Sequence, residues 1–180
     1  VVDAINDLGG PTNISYPGSK TGLENAESLY SALDSDLKAI LDNDYADLVN
    51  ELIEDRNQYD SLRSAAINNV IDKIDAISEP ISYPGSRDEV FAARDALADL
   101  DELDRVDTVV TNLSDFNNAL NTYNTLRDLA VEQVIQSIDS ISRDSEGKIL
   151  YPNSKSSLEN AESLYAALAE EEKTPTVVTT

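Results

Sequence analysis

YADLVNELIEDRNQYDSLRSAAINNVIDKIDAIS, residues 45–78, runs for 34 residues without a glycine or a proline. Its apolar residues fall at Tyr45, Leu48, Leu52, Tyr59, Leu62, Ala66, Val70, Ile74 and Ile77, in steps of three and four with one turn skipped. That is the period of a single amphipathic helix, roughly 50 Å long at about 1.5 Å per residue. A helix of this length is expected to serve two packing units, as the last helix of one bundle and the first of the next.

Working outward, the chain repeats itself. Tyr16-Pro17-Gly18-Ser19 returns as Tyr83-Pro84-Gly85-Ser86 and as Tyr151-Pro152-Asn153-Ser154, at intervals of 67 and 68 residues. LENAESLY, residues 23–30, recurs without change at residues 158–165, and the middle copy keeps its pattern as VFAARDAL from Val90. Identity of that length marks an internal repeat. Before each Tyr-Pro stands a short helical piece, VVDAINDL from Val1, VIDKIDAI from Val70 and VIQSIDSI from Val134. The linker between them varies in length and carries Gly9, Gly10, Pro11, Pro80 and Gly147, which reads as a surface loop that tolerates insertion.

Each repeat therefore reads as helix A, a Tyr-Pro turn, helix B and helix C. Proline excludes the residue before it from the helical region, and Ser19, Ser86 or Ser154 is placed to cap helix B. Leu23, Ala26, Tyr30 and Leu33 form its buried stripe, matched by Val90, Ala93, Leu97 and Leu100. A connector follows, with Asp44 or Asn112 expected to cap helix C. In the second repeat the stripe Leu113, Phe116, Leu120, Tyr123, Leu126, Ala130, Val134, Ile138 and Ile141 runs unbroken from helix C into the third helix A. Tyr59 and Tyr123 are equivalent, but Leu33 precedes the first by 26 residues and Leu100 the second by 23, so the first copy holds about one extra turn. The expected units are residues 1–69, 70–133 and 134–180, the last lacking its helix C. The Thr176-Val177-Val178-Thr179 stretch aligns with Thr108-Val109-Val110-Thr111, and the segment is expected to be cut from a longer array.

The fold expected is all-α: tandem three-helix bundles joined by shared long helices into an elongated rod. With two Phe, no Trp and no Met, small aliphatic residues and tyrosine must fill the interior, as narrow bundles allow. The net charge of −22 disfavours nucleic acid and anionic membrane as partners, and no apolar run reaches the roughly 20 residues that span a bilayer. With no His and no Cys, the commonest general base and the thiolate nucleophile are both missing, and thin bundles offer no cleft in which two carboxylates could face each other. An enzyme is not expected.

Ala26-Glu27-Ser28-Leu29-Tyr30-Ser31-Ala32-Leu33, Val109-Val110-Thr111-Asn112 and Ala119-Leu120-Asn121-Thr122-Tyr123-Asn124-Thr125-Leu126 resemble the three-helix repeats of bacterial cell-surface proteins. The continuous C-to-A helix is similar to the spectrin-like bundles of S-layer proteins and giant adhesins. This resemblance implies a structural spacer or scaffold outside the cell, on the surface or in the wall, whose partners are neighbouring repeats of a larger protein. It carries no catalytic or ligand residue onto the chain. Two other functions stay open: a repeated adhesive module for a host protein or glycan, and a self-assembling filament or layer.

Candidate sites are few. Asp42, Asp44 and Asp47, and again Asp99, Asp101, Asp104 and Asp107, are oxygen donors for a weakly held calcium ion at a repeat corner, although neither run has the spacing of an EF-hand loop. Helix capping and solvated faces explain the same residues more simply. No other cofactor is expected. Tyr16, Tyr83 and Tyr151 form either a ladder of aromatic platforms or, the simpler reading, staples that lay each ring over a bundle end with the hydroxyl in water.

Overall fold

The computed structural model describes residues 1–173 and is all-helical, with one isolated antiparallel bridge, Arg143 to Ile149, closing the loop around Gly147. Seven α-helices follow in order: α1 Val2–Asn6, α2 Lys20–Ser31, α3 Ser35–Asp44, α4 Ala46–Asp75, α5 Arg87–Ala98, α6 Leu113–Asp139 and α7 Lys155–Ala167. The 30 residues of α4 cover nearly all of the stretch read from the sequence, and α6 carries the second continuous helix over 27 residues. The extra length in the first copy is α3. Its N-cap is Asp34, whose side chain accepts from the Leu37 N–H, whereas the second repeat makes only a 3-10 turn, Glu102–Asp104, at that place.

The chain forms two compact units. One comprises Val1–Asp75 with Ala93–Leu113, and the other Ala76–Ala92 with the segment from Ser114 onward. In the first, α1, α2 and α4 pack against one another around Ile5, Ile14, Leu23, Ala26, Leu52 and Tyr59, and α3 lies against α4. Full burial of each large aliphatic side chain contributes about 1.5–3 kcal/mol, so this small cluster accounts for the packing of three short amphipathic stripes. A bidentate pair from Arg56 to Glu27, at 2.6 and 2.5 Å, ties α4 to α2 beside it. Arg105 closes α5 by donating to the carbonyls of Ala98 and Leu100, which a helix C-terminus leaves without intrahelical partners. In the second unit, Phe116, Ala119, Tyr123, Val134, Ile141, Ala161 and Leu168 are buried, and the Tyr123 ring meets Tyr83 and Phe91, each at 5.6 Å between centroids.

Two capping expectations are corrected. Ser19 and Ser154 occupy N-cap positions but cap nothing with their side chains. Asp44 is the last residue of α3, not the cap of α4, and Asn112 turns its amide to the end of α4 instead, donating to Ile71 O and Asp75 Oδ1. The reason is competition: a short polar side chain at a corner takes whichever backbone or carboxylate partner the tertiary fold brings nearest. The alignment of Thr176-Val177-Val178-Thr179 lies outside the described residues.

Candidate functional site, a tyrosine joint built twice

The Tyr-Pro element is a local device first. All three Tyr-Pro peptide bonds are cis. In the first copy the Ser15 N–H donates to Ser19 Oγ and the Ser19 N–H to Ser15 O; Ser82 and Ser86 repeat the exchange. This closes the turn and consumes the serine hydroxyl that was expected to cap helix B. It also explains the glycine. A Cβ on Gly18 would lie 2.7 Å from Ser15 Oγ, and one on Gly85 would lie 2.5 Å from Ser82 Oγ. In the third copy Leu150 replaces that serine, the glycine becomes Asn153, and Ser154 Oγ donates instead to Ser142 O. Serine and glycine are thus replaced together in this copy.

The turn aims its tyrosine at the next repeat. Tyr16 Oη donates to Asp104 Oδ2 at 2.7 Å and accepts from the Asp101 N–H at 2.8 Å. Arg63 forks onto both oxygens of Asp104, with Nε to Oδ2 at 2.9 Å, and Lys20 Nζ reaches Asp101 Oδ1 at 2.8 Å. The Tyr16 ring lies 5.5 Å from that of Tyr59, tilted by 59°, within the range where aromatic pairs attract. Asp104 is 5% exposed, so its charge is held in a place where only close partners can stabilise it. The Arg63 guanidinium, aided by the Tyr16 hydroxyl, keeps the Asp104 carboxyl below the usual carboxylate range, and Lys20 does the same for Asp101. Burial and the neighbouring Asp104 push the Tyr16 phenol far up, so it remains a donor.

The same joint recurs one repeat later. Tyr83 Oη donates to Glu172 Oε2 at 3.0 Å and accepts from the Ala169 N–H at 2.9 Å. Arg87, which follows its turn as Lys20 follows the first, pairs with Glu171 and lies 4.8 Å over the Phe91 ring. The tyrosine reaches 88 residues forward in one case and 89 in the other, to the corner that closes helix B of the following repeat. Burial pushes the adjoining Tyr123 phenol up to about 12. Among the described residues no such corner meets Tyr151, which is 86% exposed.

These findings reassign the residues singled out from the sequence. Tyr16 and Tyr83 do lay their rings on the bundle, but their hydroxyls are bonded within the protein and not immersed in water. Asp101 and Asp104 hold cations and a phenol, and Asp42 accepts from Tyr30 Oη. Asp44, Asp47, Asp99 and Asp107 are exposed, and among the described residues no three metal-ligating side chains converge. No helix of the described residues is long and apolar enough to cross a membrane. No family model, no curated protein and no solved structure matches the chain.

One polar group on the buried stripe of α4 has no role in the joint. Asp55 is fully buried between Leu52 and Tyr59 along the helix, and neither carboxylate oxygen has a hydrogen-bond partner. The corresponding residue of α6, four before Tyr123, is Ala119. Burial, then Glu51 and Glu54, raise the Asp55 pKa above the ordinary carboxyl value. The folded chain therefore holds this proton more tightly than the unfolded chain, and stability is lost as pH rises from the ordinary carboxyl range through the folded value. Asp55→Ala should raise stability by about 1–3 kcal/mol at pH 7 in urea unfolding, with the gain shrinking toward pH 4. A destabilised variant at pH 7 would mean that the carboxylate has a partner in solution.

Proposed function

We propose that the chain is a non-enzymatic spacer or scaffold segment of a surface protein outside the cell, made of three-helix bundles that share long helices and follow one another as an elongated rod. The observation that carries this reading is the joint. Twice the chain spends a tyrosine, a basic residue and an acidic corner on fastening one repeat to the next, where a flexible linker would leave the angle between them free. The continuous helices α4 and α6 run from one sequence repeat into the next and support the same reading. The adhesive alternative gains no comparable support, because two of its three candidate tyrosines are turned inward.

Small-angle scattering tests the proposal. A compact globule of 180 residues has a radius of gyration of roughly 16 Å. A stiff spacer should give a clearly larger value, with a pair-distance distribution skewed to long distances and unchanged by millimolar calcium. A compact or freely hinged particle would remove the spacer reading. A shape that shifts with calcium would return the acidic corners to the list of sites.

A further inference from the structure

A cleft of about 320 Å³ opens in the first compact unit, where α2 and α4 meet the corner at Leu103 and Asp104. Its walls hold Lys20, Arg56 and Arg63, with Glu24 and Asp60 at the rim and Leu103, 72% exposed, on one side. Each cation is anchored from behind and keeps donors to spare. Lys20 spends one of its three N–H groups on Asp101; Arg63 uses Nε and Nη2 on Asp104, and Arg56 the same two atoms on Glu27. Asp60 meets Arg56 Nη1 only loosely, at 3.8 Å, and Glu24 is exposed, so both carboxylates retain acceptor capacity. We propose that this cleft binds one pyranose ring of an uncharged glycan.

The joint does not require this polar lining. Tyr83, Arg87, Tyr123 and Arg127 repeat Tyr16, Lys20, Tyr59 and Arg63, yet Phe91, Leu120 and Asn124 stand where Glu24, Arg56 and Asp60 stand in the first copy. The second unit fastens the same tyrosine with an apolar side chain beside it, Phe91 lying under Arg87 and against Tyr123. Glu24, Arg56 and Asp60 are therefore additions to a common frame, and all three line one cleft. Charge selects the ligand class. Glu24, Glu27, Asp60, Asp101 and Asp104 outnumber the three cations in and behind the cleft, which disfavours an anion, while the ammonium and two guanidinium groups on its walls disfavour a cation. An uncharged ligand that both donates and accepts hydrogen bonds in several directions suits this mixture, and sugar hydroxyls do both. The volume lies at the small end of ligand pockets, enough for a ring and not for a long segment. Leu103 offers apolar surface to the C–H face of the ring, Lys20 and the spare Nη1 atoms donate to its hydroxyls, and Glu24 and Asp60 accept from them. Because the anchoring bonds already hold the donors in place, little side-chain freedom is lost on binding.

The inference goes beyond the spacer role and does not rest on it. Amide shifts of the whole nitrogen-15-labelled chain test it, with the methyl glycosides of glucose, galactose, mannose and N-acetylglucosamine each titrated to about 50 mM, a range that covers the millimolar affinity of a single ring. At least one glycoside should give saturable shifts confined to α2, the middle of α4 and the corner at residues 101–109. Glu24→Ala and Asp60→Ala should each raise its Kd about fivefold or more, because each removes an acceptor of sugar hydroxyls. Both side chains are exposed and neither belongs to the joint, so thermal unfolding of the two variants should match the parent. No saturable shift with any of the four glycosides, shifts centred elsewhere, a Kd indifferent to both variants, or larger shifts from sodium acetate or sodium sulfate at equal concentration would each overturn the proposal. The spacer reading survives every one of these results, because it is tested by the shape of the particle.

Discussion

Ile74→Asp is expected to cost about 3–5 kcal/mol and to abolish the cooperative unfolding of the first compact unit at room temperature. Ile74 is 5% exposed on the last turns of α4, in the same stripe as fully buried Val70. Aspartate there exchanges a buried aliphatic side chain for a carboxylate that must either bury a charge or take up a proton at a cost. The figure is large against a domain stability of about 5–15 kcal/mol, which is why one residue suffices. Thermal unfolding followed by circular dichroism measures it. A melting temperature equal to that of the parent would show that this face of α4 is not the packed one. Ile53, exposed on α4, serves as the control, and Ile53→Asp should change stability by less than about 0.5 kcal/mol.

Asp104→Ala is the second large effect, expected at about 2–4 kcal/mol at pH 7. The carboxylate joins Tyr16 and Arg63, and its removal leaves both without that partner near a buried corner. Arg63 is partly exposed, so water takes over some of the loss and the figure stays below that for a wholly buried pair. The variant also predicts a pH dependence. The folded-state pKa values of Asp104 and Asp101 lie below their unfolded ones, so both contribute stability that is complete above the ordinary carboxyl range. That contribution is lost as pH falls from there through the folded values. Urea unfolding from pH 7 to pH 3 should therefore show a steep acid loss in the parent and a shallower one in Asp104→Ala. Equal slopes would mean that the joint is not held by ionised carboxylate.

Asp55 runs against this trend. Its pKa is raised by burial, so acid relieves it while acid dissolves the joint. A guanidinium and a phenol face Asp104, whereas no donor faces Asp55 and the neighbouring Glu51 and Glu54 add to the effect of its burial.

Helix content and the repeat were legible in the chain because both are written in spacing. Steps of three and four residues place side chains on one face whatever that face meets, so α4 and α6 emerge from Leu48, Leu52, Tyr59, Leu62 and their equivalents without knowledge of a partner. The extra turn that became α3 was visible as a count, 26 residues against 23. The destinations of the polar side chains were not legible. Asp101 does cap, accepting from the Leu103 N–H, but it also holds Lys20, 81 positions back. Asp104 looked like a metal ligand or a cap because a carboxylate accepts from any donor, and which donor arrives is decided by residues 41 and 88 positions away. Tyr16 could be read as a staple from its neighbours, but only the tertiary fold brings its hydroxyl to the next repeat's corner. Periodicity records which face a residue occupies, and it is local. Hydrogen bonds and ion pairs need two groups within about 3 Å, and in this protein that proximity is created by the packing of one repeat against its successor.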